Sequence, residues 1–152
     1  MDREWDILVA SPDLEMRRSI MAILTRLGTD AICASTVGQC REVMAQRSVG
    51  LVLCDRQFPD GDYKDVVGMA GSGANGRARI VLTTYFIDPG EYQEAKRNGV
   101  FEVIASPYHS IAVEWMVILA KRDDLKRKEQ TSAFQRTNIP SFRRSPAVVG
   151  SI

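Results

Sequence analysis

Five short apolar runs punctuate this 152-residue chain, and several of them lack polar alternation. They cover residues 5–10 (WDILVA), 31–35 (AICAS), 50–55 (GLVLCD), 79–85 (RIVLTTY) and 101–106 (FEVIAS). A strand wetted on one face alternates apolar with polar residues, whereas a continuous Val, Ile and Leu run needs cover on both faces. The segments between the runs can supply that cover. Met16, Ile20, Leu24 and Leu27 recur at helical spacing, and Gly28 follows as a stop. Thr36 and Gln39 predict a capping box opening a helix that carries Val37, Cys40 and Met44. Asp88, Pro89 and Glu91 predict another helix start, with Gly99 at its end. A weaker helix is expected over 62–70, then a flexible GSGANG turn at 71–76, and Ser110 is expected to start the last helix. Five βα units in succession predict a parallel sheet wound on both faces.

Bulk properties narrow the function classes. The chain is 45% hydrophobic and 26% charged, as ordinary globular domains are, and long enough to bury roughly two-thirds of its unfolded surface. No apolar run approaches the ~18 residues of a membrane span. Asp2 and Glu4 stand where a signal peptide carries lysines, so a cytoplasmic location is expected. Cys33, Cys40 and Cys54 show no metal-ligand spacing and read as small buried hydrophobes, with a redox role for Cys54 as the alternative. Formal charge is +4 from Arg122 onward and −3 before it, which argues against a nucleic-acid-binding core. Periodicity stops near Thr131. The expected organisation is one domain over 1–122, then a helix extension and a disordered or extended basic tail over 123–152.

In an open sheet of this kind, chemistry collects beyond the carboxyl ends of the strands. The most informative loop there is LVLCDRQFPDGD, with Asp55 ending an apolar strand ahead of a turn-rich FPDGD. It resembles the phosphorylation loop of bacterial response-regulator receiver domains (CheY-like), where a strand ends in the phosphoacceptor Asp and a Pro-Asp-Gly turn follows. Other segments fit the same register. IVLTTY resembles the fourth strand, whose terminal hydroxyl binds phosphate, here Thr83. GVFEVIASPYHS resembles the fifth strand and its loop, with Pro107 aligned and Tyr108 at the aromatic. ILVASPDLEMRR resembles the first strand and helix. The resemblance runs from about Trp5 to Lys121. It implies a three-layer, flavodoxin-like (βα)5 sandwich with parallel sheet order 2-1-3-4-5.

The departures make this a degenerate member by its sequence. The family's acidic pair falls on Ser11 and Pro12, its phosphate-pairing lysine on Ser106, and its reporting aromatic on Val103. Mg²⁺ wants near-octahedral oxygen ligands, commonly carboxylates plus substrate phosphate. Proline has no side-chain ligand and a serine hydroxyl is a weak one, so Mg²⁺ binding is expected to be weak and no cofactor is assigned. Asp13, one residue out of register, could reach inward only through a loop shift. Each electrostatic element lost from a phosphoryl-transfer site costs on the order of 10²–10³ in rate. Asp55 is the phosphoacceptor candidate, with a solvated loop carboxylate or a docking role as its alternatives. Thr83 and Ser106 are the phosphate-binding candidates, and a structural hydroxyl is the other reading of Thr83. Ser11-Pro12 alternatively serves as an N-cap followed by a first helical residue. No catalytic residue is assigned: His109 is the one histidine, which leaves nucleophilic or zinc chemistry little to build on.

The last helix, IAVEWMVILA over 111–120, has one charge and is apolar almost all round. One stripe must face the sheet and the remainder needs cover. Trp115 and Met116 are the interface candidates. A homodimer or a protein partner, such as a histidine kinase or an output protein, is expected to provide the cover. The alternative is that the tail folds back over them. The leading expectation is a non-enzymatic two-component signalling module acting by protein contact, with weak or no phosphorylation and with neither nucleic-acid nor membrane partners. A working phosphoacceptor with a nonstandard metal site is the second, and a small α/β enzyme the third.

Overall fold

A computed structural model describes residues 5–71, 78–86, 88–105 and 110–122. The chain divides into two compact units, Met1–Ile118 and Leu119–Ile152. The described residues of the second unit, 119–122, are helical. The expected tail, most of the GSGANG turn, Ser106, Pro107, Tyr108 and His109 lie outside the described residues.

In the first unit the elements run β1 (Asp6–Ala10), α1 (Leu14–Arg26), β2 (Ala31–Ala34), α2 (Val37–Gln46) and β3 (Val49–Asp55). A two-residue-by-two-residue hairpin follows, β4 (Gln57–Phe58) with β5 (Gly61–Asp62). Then come α3 (Tyr63–Ala70), β6 (Arg79–Thr84), α4 (Pro89–Arg97) and β7 (Glu102–Ala105). Helical backbone also covers residues 110–122, designated α5. The main sheet is parallel with order β2-β1-β3-β6-β7, which is 2-1-3-4-5 once the hairpin is set aside.

The alternation of a strand explains how both faces become core. Leu8, Ala10, Val52, Cys54, Ile80 and Leu82 join one cluster with Val37 and Cys40 of α2, Tyr63 and Val66 of α3, and Ala95 of α4. The intervening residues Ile7, Val9, Leu51, Leu53 and Val81 are equally buried, and so face the opposite side. The right-handed β1–α1–β2 crossover puts α1 there, where Ile20 and Leu24 are buried, and Val113, Met116 and Val117 of α5 are buried as well. The result is a helix layer, a sheet and a second helix layer. Each large apolar side chain so buried contributes roughly 1.5–3 kcal/mol.

Local chemistry sets the helix ends. Gly28 and Gly99 take positive φ (73° and 99°), the conformation that stops α1 and α4. Asp88 caps α4 and Pro89 follows. Thr36 caps α2 by accepting from the Gln39 amide, but the Gln39 side chain reaches Ser35 rather than completing a capping box on Thr36. The reciprocal box belongs to α3, between Asp62 and Asp65. At α1 the cap is Asp13, with its carboxylate on the Glu15 amide, two residues later than the Ser11 cap considered from the sequence. At the foot of the sheet, a Cβ on Gly50 would overlap the indole of Trp5, so that glycine lets the tryptophan cover β3.

Candidate functional site

The chain order reverses direction between β1 and β3, since β2 lies outside β1 while β6 and β7 continue beyond β3. Such a reversal opens a crevice at the carboxyl ends of the two central strands. Strand register fixes what stands there: Ala10 pairs with Cys54, and Asp55 pairs with Thr83. Ser11 and Asp55 therefore emerge side by side.

They bond directly. The Ser11 hydroxyl, fully buried, donates to Asp55 Oδ2 at 2.9 Å and accepts from the Asp13 amide at 3.0 Å. Asp55 Oδ1 accepts from the Arg56 amide at 2.7 Å. Both carboxylate oxygens thus have protein donors, although Asp55 itself stays only half-buried. Arg17 of α1 secures the other side of the loop by donating to the Ser11 carbonyl at 2.6 Å. Pro12 is exposed.

Thr83 is buried, and its hydroxyl donates to the Cys54 carbonyl at 3.1 Å. That bond engages the group that the receiver resemblance assigns to phosphate. Cys54 lies behind Asp55, and burial pushes its thiol well above the ordinary 9.0. Burial likewise pushes Cys40 up to about 11. Thiols held protonated in this way are inert packing groups. Cys33 differs from the sequence expectation: it lies on the exposed side of the short edge strand β2.

The FPDGD turn does something that no sequence pattern announced. Asp60 at its tip reaches α2, where its two oxygens accept from the Val37 amide at 2.9 Å and the Gly38 amide at 3.0 Å. These bonds hold the Asp60 carboxyl below its ordinary 3.8. On the other side of the turn, Arg56 pairs with Glu91 in the first turn of α4 at 2.8 Å. The loop carrying Asp55 is therefore tied to two different helices. Only the acidic composition of the turn hinted at the first tie, because its partners are backbone amides 22 and 23 residues away. Val103, at the aromatic position of the resemblance, is half-buried and lines a cleft of about 130 Å³ with Arg56, Tyr63, Leu82, Phe86 and Tyr92.

A divalent cation at Asp55 would need further oxygen ligands, and the residues do not supply them. Asp55 has both oxygens engaged, Ser11 offers a hydroxyl already used twice, and Pro12 offers nothing. One oxygen of the Asp13 carboxylate caps α1 and the other accepts from the Tyr85 hydroxyl at 3.4 Å. Among the described residues no group of three or more His, Cys, Asp or Glu side chains could hold a metal ion. The residues present do not fit Mg²⁺.

The two interface candidates separate. Trp115 is half-exposed, while Met116 is 8% exposed and packs inward, so of the two candidates only Trp115 is left on the outer surface. The outward apolar residues of α5 are Ile111, Trp115 and Ile118, at i, i+4 and i+7.

No family model matches the sequence, and no curated protein matches it. Solved structures do match the fold. The signal receiver domain of an HD domain-containing protein from Pseudomonas fluorescens Pf-5 superimposes with a TM-score of 0.73 at 16% identity, covering 85% of this chain and 96% of that one. The chemotaxis response regulator CheY4 of Vibrio cholerae gives 0.69 at 14% identity, covering 76% and 98%. The receiver domain of a sensor histidine kinase from Pseudomonas aeruginosa PAO1 gives 0.66 at 18%, covering 74% and 93%. This is the receiver-domain fold. At such identities the likeness is one of backbone, and each site residue of this receiver fold stands on its own geometry.

Proposed function

We propose that the chain is a receiver-like module of two-component (phosphorelay) signalling that works by protein–protein contact, with Asp55 phosphorylated weakly or not at all. One observation carries the reading. At the carboxyl end of β1, where the resemblance expects a metal-binding acid, the Ser11 hydroxyl donates to Asp55 at 2.9 Å. A hydroxyl donor neutralises part of the Asp55 charge but cannot compensate charge on a transferring phosphoryl group as a metal does. The P. aeruginosa neighbour, by contrast, coordinates a magnesium ion in its active-site cleft. In this reading Asp55 and Ser11 form a fixed polar joint, and the output is the surface that the fold presents.

That surface is the Ile111, Trp115 and Ile118 stripe of α5. Tryptophan is a typical interface anchor, and a histidine kinase, an output protein or a second copy of the chain would each cover it. A two-fold homodimer through α5 is the simplest homomeric arrangement. A cytoplasmic location accompanies this role. Among the described residues no helix is long and apolar enough to cross a membrane.

Treatment with acetyl phosphate and Mg²⁺, followed by intact-mass measurement, tests the reading. The wild-type chain should stay unmodified, and an NMR titration should show Mg²⁺ affinity no tighter than millimolar. Substituting Ser11→Asp together with Pro12→Asp should restore tighter Mg²⁺ binding. A stable phosphoryl adduct on the wild type that Asp55→Asn abolishes would overturn the reading in favour of a working phosphoacceptor with a nonstandard metal site.

A further inference from the structure

We propose that the cleft between the Asp55 loop and α4 is a docking pocket for one aromatic side chain of a protein partner, carried between basic residues. The site rests on the contact function proposed above and gives that contact an anchor point with a defined chemistry.

The cleft is built of apolar and ring surface. Its floor is the sheet, where Leu82 of β6 and Val103 of β7 stand side by side in register. Leu82 is buried, but Val103 is only half-buried, so the floor is open at β7. Tyr63 at the start of α3 and Tyr92 of α4 form walls. Each is fixed by its hydroxyl: Tyr63 accepts from Asn98 Nδ2 at 2.9 Å, and Tyr92 donates to Glu102 Oε1 at 2.9 Å. With both hydroxyls engaged, the walls offer the cleft their rings. Phe86 adds a third ring, and at 68% exposed it has apolar surface that an occupant would cover.

Size and charge select the occupant. Small-molecule sites typically enclose roughly 300–1,000 Å³, and this cleft holds about 130 Å³. That is close to the roughly 150 Å³ of an apolar cavity that takes one benzene ring. A single ring is the scale of a side chain, and aromatic side chains seated in pockets are the usual anchors of protein contacts. Edge-to-face or offset contact with the tyrosine walls adds to the burial of such a ring. Asp62, Glu91 and Glu94 line the cleft against Arg56 and Lys64. Arg56 is spent on Glu91 at 2.8 Å, and Lys64 lies 4.0 Å from Asp62. Glu94 is exposed and makes no ion pair among the described residues. The uncompensated charge at the cleft is therefore negative, which favours an aromatic residue with lysine or arginine beside it.

NMR titration of the full chain with blocked tripeptides tests the pocket. Lys-Tyr-Lys should shift the Leu82 and Val103 methyl resonances saturably in the millimolar range, Lys-Ala-Lys should not, and Glu-Tyr-Glu should bind several-fold more weakly. Val103→Phe fills the floor with a ring of the chain's own and should abolish the shifts. Glu94→Lys leaves the floor untouched and should remove or reverse the preference for Lys-Tyr-Lys over Glu-Tyr-Glu. Three outcomes would overturn the proposal: equal binding of Lys-Ala-Lys, undiminished binding by a folded Val103→Phe protein, or an unchanged charge preference in Glu94→Lys. Free p-cresol binding as tightly as Lys-Tyr-Lys would also overturn it, by making the occupant a small molecule. Failure of the contact reading would appear separately, as a phosphoryl adduct in the acetyl phosphate assay.

Discussion

The loop over residues 55–65 and the outward stripe of α5 handle their side chains in opposite ways. In the loop, the carboxylates are turned to internal donors: Asp55 to Ser11 and Arg56, Asp60 to α2, and Asp62 and Asp65 to each other's backbone at the start of α3. On α5, Ile111 is 67% exposed and Trp115 50% exposed. The region built from chemically capable groups has its hydrogen-bonding capacity used internally, and the region built from chemically inert ones leaves its apolar surface in water. A catalytic site presents the reverse, with unsatisfied polar groups converging on a crevice and apolar surface hidden. The contrast is what connects the bond geometry at Asp55 with the contact function proposed above.

The sharpest way to break the comparison lies within α5, where neighbouring residues face opposite environments. Met116→Ala removes a buried side chain and should destabilise the fold by about 2–5 kcal/mol in urea denaturation. Trp115→Glu should change monomer stability by no more than about 0.5 kcal/mol, yet dissociate any assembly seen by light scattering. Comparable destabilisation by both would show that the stripe is covered within the chain.

The loop should respond less strongly. Ser11→Ala removes the donor to Asp55 and the acceptor for the Asp13 amide, a loss of about 1–3 kcal/mol. At Asp60 the effect is one of pH. Because its folded-state pKa lies below the unfolded 3.8, its tie to α2 contributes fully above that value and is lost as pH falls through the lower, folded one. Asp60→Asn should speed hydrogen exchange at the Val37 and Gly38 amides at neutral pH and flatten the acid limb of the stability profile. An unchanged acid limb would mean that the tie carries no stability.

What the sequence made legible follows from the range of each signal. The strands and their order were readable because a buried strand must be apolar along its whole length and because βα crossovers restrict topology. The end of α4 was readable because Asp88, Pro89 and Gly99 act on their own backbone. The cap of α1 stayed open because Ser11 and Asp13 are both good caps; the Ser11 hydroxyl goes to Asp55, 44 residues away, and Asp13 caps the helix. Asp60 was unreadable as a tie, because nothing local marks a carboxylate for amides more than 20 residues away. Trp115 and Met116 could not be told apart as interface candidates, because on a helix apolar nearly all round the sequence does not say which stripe is buried.

The smallest expected effect is at Thr83, and it separates two meanings of one hydroxyl. If the hydroxyl serves the fold, its partner is the Cys54 carbonyl at 3.1 Å, inside the sheet and away from solvent. Thr83→Val keeps the shape and removes the donor, leaving that carbonyl with one partner fewer, which costs about 0.5–1.5 kcal/mol. Thr83→Ser keeps the donor and loses a methyl group, so it should cost a similar amount through packing, about 0.8 kcal/mol per buried carbon. Neither change should alter Mg²⁺ titration or the response to acetyl phosphate, because in this geometry the hydroxyl has no part in either. A hydroxyl that serves phosphate would behave differently: Thr83→Ser would retain whatever modification occurs and Thr83→Val would lose it. The two substitutions are therefore alike if the hydroxyl serves the fold, and separate by chemistry if it serves phosphate. Separation by chemistry would mean that the inward-turned polar groups of this region can still turn outward.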